Sequence, residues 1–308
     1  MKKSEKIFFS IIIPTYDMAE YLSYSVKSVL CQNYKNFEII VVDNHSKDNT
    51  KKVIKDFKNK KIRFFQIYNY GVIGKSRNLG IKKSRGNWIA FLDADDKWFK
   101  NRLSYIKKKI EKNNFDFIGD SSVIKNSSKK IEKKIWHFGF KKNNSYENFL
   151  RYGSVFSTSQ SVVRKKFIFK NKIFFSDKKI FSSFEDFDFF LNMSFKGAKF
   201  LFLRKVLGEQ LIHDNSTTAK KKNYYQSFEA VIRHHVNKQK FQKDKKKLLK
   251  EILLFHKVKD MIRGLSNNNN TITNILMIFF CFLSSPIYFI KIIYKLIDRQ
   301  INYIERLK

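Results

Sequence analysis

The sequence predicts an α/β fold built on a mostly parallel sheet with helices on both faces. From residue 7 to residue 93, short apolar runs alternate with stretches of helical periodicity. The runs are apolar almost throughout rather than at every second position, which is the pattern of strands buried on both faces. Carboxylates close three of the first four predicted strands, and it is beyond the carboxyl ends of such strands that open α/β sheets bind their ligands.

The first strand is IFFSIIIP, residues 7–14. The opening MKKSEKIFFSIIIPTY has the basic head and apolar run of a secretory leader, but it lacks a small-x-small cleavage site. Glu5 and Asp17 also lie close by and Pro14 ends the run, so it reads as a buried strand. Leu22, Val26, Val29 and Leu30 then recur at helical spacing, with Asp17 expected to cap that helix and Glu20 to follow in its first turn. FEIIVVD (37–43) is a second strand, and Val53, Ile54 and Phe57 mark a second helix. IRFFQIY (62–68) is a third strand, Gly74 to Ser84 a third helix, and NWIAFLD, ending at Asp93, a fourth strand.

The middle of the chain is less regular. FDFIGDSSVIK and STSQSVVRKK read as strands, and KKNNSYENFLRYGS as a helix and turn. EDFDFFLNMSFKG reads as a helix opened by Glu185 and Asp186 and closed by Gly197. FLFLRKVLGEQLIHDNSTT supplies strand material as far as His213. Beyond residue 220, Leu248, Leu249, Ile252, Phe255, Val258, Met261 and Ile262 mark an amphipathic basic helix. The stretch Ile275 to Ile290 is almost wholly apolar but carries Pro286. A spanning helix needs about 20 apolar residues, and basic flanks on both sides remove the orientation signal. The expected state is an interfacial or re-entrant helix; a true span and a helix packed on the domain are the alternatives. The organisation expected is a catalytic domain over 1–219 and a membrane-associating helical extension over 220–308.

At 308 residues and 43% hydrophobic content the chain can fill a sizeable core. Its net charge of +36, from 63 basic against 27 acidic residues, suits a polyanionic partner. A coding sequence rich in A and T would produce the same Lys, Asn, Ile and Phe excess with only 2 prolines. Two cysteines without paired spacing point to a reducing compartment.

Two motifs carry chemistry. NYGVIGKSRN, residues 69–78, ends like a phosphate-binding P-loop, but Asn69 stands where that loop needs glycine and Gly80 weakens the helix that would follow. In LDADD, Asp93 and Asp95 stand one residue apart at a strand exit, where they can share one Mg²⁺ or Mn²⁺ and leave positions open for phosphate oxygens. Short acidic loops are common, so that motif alone says little.

Several segments in order raise its weight. SIIIPTYDMAEYLSYSVKSVLCQNYKNFEIIVVDNHSKDNT, NYGVIGKSRNLGIKKSRGNWIAFLDADD and FEDFDFFLNMSFKG together resemble the family 2 glycosyltransferases, over roughly residues 8 to 215. The resemblance implies a GT-A fold and transfer of sugar from a nucleotide sugar with inversion. It implies nucleotide-sugar binding by Pro14, Thr15, Tyr16, Asp43, Arg77, Asp93 and Ala94, with Asp43 accepting the imide N–H of uracil; Lys75, outside the family pattern, is expected to bind the donor by adding positive charge near its diphosphate. It also implies a Mn²⁺ or Mg²⁺ ion held by Asp95, Asp93 and His213, and Asp186 as general base. Arg77 and Asn78 match characteristic residues of the loop and helix before the metal strand. Asn44 and His45 depart from the family's usual residues, which bears on uridine preference, and Gly74 and Lys75 stand where small residues such as Ser and Ala are usual.

The function these features predict is an inverting transferase. It would use a UDP-sugar and a glycan or lipid-linked saccharide acceptor in cell-surface glycan synthesis, peripheral at the cytoplasmic face of an anionic inner membrane. The rival is a non-catalytic basic protein that binds polyanions. Carboxylates at the strand ends would repel a phosphate backbone and no aromatic-basic RNA motif is present, so no nucleic-acid partner is expected.

Overall fold

The computed structural model describes residues 6–126, 134–139, 145–153, 156–213, 224–238 and 244–266, with the single positions 286, 289, 290 and 294. The apolar stretch considered for the membrane lies outside the described residues apart from those single positions. No helix among the described residues is long and apolar enough to cross a membrane.

In chain order the first half reads β1 (Phe9–Thr15), α1 (Ala19–Leu30), β2 (Phe37–Asp43), α2 (Thr50–Asp56), β3 (Ile62–Gln66), α3 (Ile73–Lys83), β4 (Trp88–Phe91), β5 (Lys97–Trp98) and α4 (Arg102–Lys112). The second half adds β6 (Phe117–Asn126), β7 (Lys134–Trp136), α5 (Tyr146–Tyr152), β8 (Ser161–Arg164), α6 (Lys165–Lys170), α7 (Glu185–Phe195), β9 (Phe200–Ile212), α8 (Tyr224–Lys238) and α9 (Lys245–Ser266). The strands form one sheet in the order β3-β2-β1-β4-β8-β6-β9-β5, with β7 paired to β6. β1 to β4 are mutually parallel, β8 runs against β4 and β6, β6 and β9 are parallel, and β5 runs against β9. This is the mixed, mostly parallel sheet flanked by helices that a GT-A fold requires.

Burial explains the continuous apolar runs. Every residue of β1, β2 and β4 is buried. Side chains alternate between two cores, one on each face of the sheet. Phe9, Ile11, Ile13, Trp88 and Ala90 join the core under α1 and α4, whereas Ile12, Ile89 and Phe91 join the core under α3 and α7. Gly80 lets α3 press onto β1, because a Cβ there would stand 2.4 Å from Ile12 Cγ2. Its helix-weakening effect is thus the cost of close packing. Gly80→Ala would gain about 1 kcal/mol in helix propensity and lose about 1–3 kcal/mol to overpacking. The expected net result is a lower thermal midpoint, checked by calorimetry; a midpoint raised by several degrees would contradict the close approach.

Two local expectations are corrected, and three elements are added. Asp17 does not cap α1: it has φ 48°, and its carboxylate accepts the Lys47 N–H at 2.6 Å. The Ala19 N–H instead donates to Asp48 Oδ2 at 2.8 Å, so the cap comes from the loop after β2. The strand read in STSQSVVRKK is only four residues long, because the chain turns directly into α6 at Lys165. β5, α4 and α8 were not anticipated; β5 is two residues long and owes its state to pairing with β9.

The C-terminal helices pack on the sheet's helical layer. Phe228, Val231, Ile232 and Val236 of α8 and Leu248 and Ile252 of α9 lie in the same core as Phe149 of α5 and Phe187 of α7. Arg151 of α5 pairs with Glu251 of α9 at 3.1 Å. The apolar positions of α9 up to Val258 are therefore occupied by the protein interior, and a membrane contact of this part of the helix would have to use its lysine-rich face.

Candidate active site

The carboxyl ends of β1, β2 and β4 bring together Thr15 and Tyr16, Asp43 and Asn44, and Asp93 to Asp96. The first turn of α7 faces them with Glu185 and Asp186, and α3 sends Arg77 between the two groups. Arg77 is 4% exposed, and its guanidinium donates to Asp93 Oδ1 at 2.8 Å and to Glu185 Oε1 at 3.0 Å. Its carbon centre lies 5.4 Å from the centroid of the Phe175 ring. A buried guanidinium needs counter-charge on its donors, and this one draws it from residues 16 and 108 positions away in sequence. Asn78 steadies the same region by donating to the Phe175 carbonyl at 2.8 Å and accepting the Phe175 N–H at 2.9 Å.

Burial pushes the Glu185 carboxyl up to about 7 against the pull of Arg77, and the neighbouring Asp186 adds to the rise. Burial likewise raises the Asp186 carboxyl, opposed by Arg77. Thr158 Oγ1 lies 3.4 Å from Asp186 Oδ2. Asp186 is not the cap of its own helix, since Phe184 holds that position. Arg77 Nε and Glu185 Oε2 are buried without a protein hydrogen bond, which leaves one donor and one acceptor there for water or an ion.

Asp95 faces the other way. Its Oδ2 is 3.1 Å from His213 Nε2, and the His213 ring stacks on Tyr21 with centroids 4.9 Å apart. Burial and the adjacent Asp93 charge push the Asp95 carboxyl up. Asp96 is buried and raised well above the usual range by burial and by Asp95 and Asp93; it accepts the Leu211 N–H at 3.0 Å, tying the acidic loop to the end of β9. Ser25 of α1 anchors the same loop, its hydroxyl 2.8 Å from the Ala94 carbonyl.

The expected trio Asp93, Asp95 and His213 does not close into one cluster: Asp93 turns to Arg77 while Asp95 turns to His213. No group of three His, Cys, Asp or Glu side chains poised for a metal occurs among the described residues. The residues still fit a hard divalent ion. Mg²⁺ characteristically takes one or two carboxylates and completes its shell with phosphate oxygens and water, imidazole is an accepted ligand of first-row metals, and the crowded carboxylates favour added positive charge.

Asp43 is 1% exposed and already engaged. Ser46 Oγ lies 2.5 Å from its Oδ1, and Gln66 Nε2 donates to its Oδ2 at 3.0 Å. It therefore shapes the loop after β2, with Ser46 and Gln66 supplying three donors to its roughly four acceptor positions. Around it stand exposed rings: Tyr16 at 50%, Tyr68 at 63% and Tyr70 at 75%. His45, the departure from the family pattern, has φ 55° and stacks on Tyr68 at 3.7 Å. Lys75 sets its ammonium 5.2 Å from the centroid of the Tyr70 ring, beside this aromatic group rather than on the carboxylates. Ser76 of the GKS segment is buried and bonded to Asn69 Nδ2 at 3.0 Å, so its hydroxyl does not serve a P-loop. Thr158, Ser25 and Gln210, the last with its Nε2 3.5 Å from Asp96 Oδ2, reach the site from distant segments and carry no local signature in the sequence; Glu185 stands beside Asp186 and is legible as an acidic pair.

Comparisons with known proteins bear on the family and the fold. The family model described as "Glycosyl transferase family 2" matches residues 10–175. An uncharacterized glycosyltransferase of Rickettsia bellii is 45% identical over 109 residues, 35% of this chain and 16% of that protein. The Escherichia coli UDP-Glc:alpha-D-GlcNAc-diphosphoundecaprenol beta-1,3-glucosyltransferase WfgD is 39% identical over 121 residues, 39% of this chain and 47% of that protein. The chain thus spans less than a third of the Rickettsia relatives and about half of WfgD. Among solved structures, S. aureus TarS 1-349 in complex with UDP-GlcNAc superposes with a TM-score of 0.62 at 20% identity, covering 84% of this chain and 73% of that one. The mannosyltransferase PcManGT from Pyrobaculum calidifontis, in complex with GDP-Man and Mn²⁺, gives 0.57 at 13% identity, covering 95% and 87%. At these identities the likeness is one of fold.

Proposed function

The chain belongs to glycosyl transferase family 2, and from that premise we propose that it moves a sugar, with inversion, from a UDP-sugar to a hydroxyl of a glycan or lipid-linked saccharide acceptor. The observation that carries the reading is the buried Arg77 bridge, which holds the acidic loop after β4 and the acidic turn of α7 at fixed spacing around one cleft. The UDP donor and the lipid-linked acceptor are supported by the name of WfgD, and the donor also by the UDP-GlcNAc bound to TarS. An anionic membrane surface suits such an acceptor, since each Lys or Arg near it contributes about 1 kcal/mol.

In this reading the acceptor hydroxyl lies against Asp186. Its oxygen attacks the anomeric carbon, its proton passes to the Asp186 carboxylate, and the bond from the anomeric carbon to the diphosphate oxygen breaks with its electron pair going to UDP. Burial helps the base: by raising the carboxyl it brings the proton affinity nearer to the working pH. Arg77 holds Asp93 and Glu185 in place and keeps the cleft from accumulating uncompensated negative charge. Asp95 and His213 would hold a divalent ion, which when bound supplies positive charge for the leaving diphosphate.

The sign of the pH dependence follows. A base must be ionised to work, so kcat/KM should rise with pH through the raised Asp186 titration; a profile that falls with rising pH over that range would exclude Asp186 as base. The reading as a whole is tested by thermal shift with UDP and Mn²⁺, followed by UDP release from UDP-glucose and UDP-N-acetylglucosamine. Stabilisation by about 2.7 kcal/mol at a hundredfold excess over Kd is expected. Absence of any shift, together with tight, salt-sensitive RNA binding, would favour a non-catalytic polyanion binder.

A further inference from the structure

His235 of α8 is fully buried and stands between two polar partners. Its Nε2 lies 2.9 Å from Asp188 Oδ1, and its Nδ1 lies 3.1 Å from the Tyr146 hydroxyl. Asp188 is itself 4% exposed. The bonding is self-consistent for a neutral ring: Nε2–H donates to the carboxylate, and Nδ1 accepts from the tyrosine. Beside it, Lys238 donates to Asn192 Oδ1 at 3.0 Å, a second polar tie between α8 and α7.

Asp188 follows Asp186 by two positions on the same helix. At 3.6 residues per turn the two side chains point about 200° apart around the axis, so Asp186 faces the cleft while Asp188 faces α8. Apolar contacts made by Phe187, Phe189, Phe190 and Leu191 and the Arg77–Glu185 ion pair also hold α7; the His235–Asp188 bond adds a tie on the helix face turned away from Arg77. A hydrogen-bonded carboxylate is directional. With side chains about 5–6 Å from the axis, a 10° rotation displaces the Asp186 carboxyl by roughly 1 Å, and a misplacement of about 1 Å can cost 10²-fold in rate.

We propose that His235 is a positioning residue for the Asp186 base, acting through Asp188 to fix the rotation of α7, so that the C-terminal helices form part of the catalytic unit. The inference rests on the transferase reading for its effect on rate, but its structural content stands apart. A catalytic unit ended at residue 219 would lack His235 and leave Asp188 buried without this partner.

The test uses the full chain with His235→Leu, His235→Gln and Tyr146→Phe. Amide hydrogen exchange over residues 188–195, whose N–H groups lie past the open first turn of α7, normalised to β1 and β2, reports local opening of that helix. His235→Leu is expected to speed exchange there about tenfold. It should also lower kcat for UDP release about 10- to 100-fold while KM for the UDP-sugar stays within about twofold. His235→Gln, whose amide can reach Asp188 in place of Nε2–H, should restore most of both. Unchanged exchange in His235→Leu, or Gln and Leu variants equally impaired, overturns the proposal. If His235→Leu does not fold, Tyr146→Phe decides: exchange over 188–195 should rise about threefold, and no rise overturns it. A wild-type protein that releases no UDP from either sugar sinks the transferase reading, while the exchange data still judge the role of His235.

Discussion

Asp186→Asn is expected to lower kcat for sugar transfer by about 10²- to 10⁴-fold, the usual contribution of a positioned general base, with UDP affinity nearly unchanged. The substitution preserves shape and the ability to accept the Phe187 N–H, which meets Asp186 Oδ1 at 2.7 Å. It removes only the proton-accepting charge. Because burial already disfavours that charge, the amide should fold at least as stably as the carboxylate. Turnover, UDP titration and thermal midpoint together form the check. Parallel loss of turnover and UDP binding, with an unchanged midpoint, would mean that Asp186 binds donor rather than activating acceptor.

Arg77→Met should be the most destabilising change in the cleft. Removing one partner of a buried ion pair costs about 3–5 kcal/mol, because the remaining charge is left without compensation. Here that charge is chiefly Glu185, with 6% of its side chain exposed; Asp93 is 32% exposed and contributes less because solvent screens it. Arg77→Lys keeps the charge but cannot fork between two carboxylates, so it should fall between the two. The pH dependence has a definite sign. Glu185 is already raised to about 7 with Arg77 present, and losing the guanidinium raises it further. A carboxyl raised in the folded state favours folding below its unfolded titration, and that contribution is lost as pH rises through the folded value. The deficit of Arg77→Met should therefore shrink between pH 8 and pH 5.5 in denaturant unfolding. A deficit under about 1 kcal/mol, or one that grows on acidification, would show that the bridge is not the cleft's electrostatic tie.

Much of the fold could be read before any coordinates. β2 falls where FEIIVVD predicts, and β1, β3, β4, α3 and α7 begin within two residues of their expected starts, because periodicity and strand-end carboxylates are local signals. The elements that escaped notice have other causes. β5 exists only because β9 lies beside it, and α8 shows its apolar spacing at Phe228, Val231, Ile232 and Val236 amid polar residues that do not stand out. The cap of α1 was assigned to Asp17 on proximity, but the positive φ of that residue turns it toward Lys47 and leaves the task to Asp48.

For the site, the sequence by itself determined which residue types stand at which strand ends, namely Thr15 and Tyr16, Asp43 and the Asp93 to Asp96 run, and that the Glu185-Asp186 pair opens a helix. It did so because a parallel sheet delivers the ends of its strands to one edge. Only the tertiary structure decided how those residues divide the work. Arg77 takes Asp93 away from Asp95, Ser46 and Gln66 occupy Asp43, and Lys75 settles beside Tyr70. His235, from beyond the stretch that resembles the family, closes on the helix that carries Asp186. Each of these pairings is chosen by burial and charge balance among segments far apart in the chain, and no local pattern encodes them.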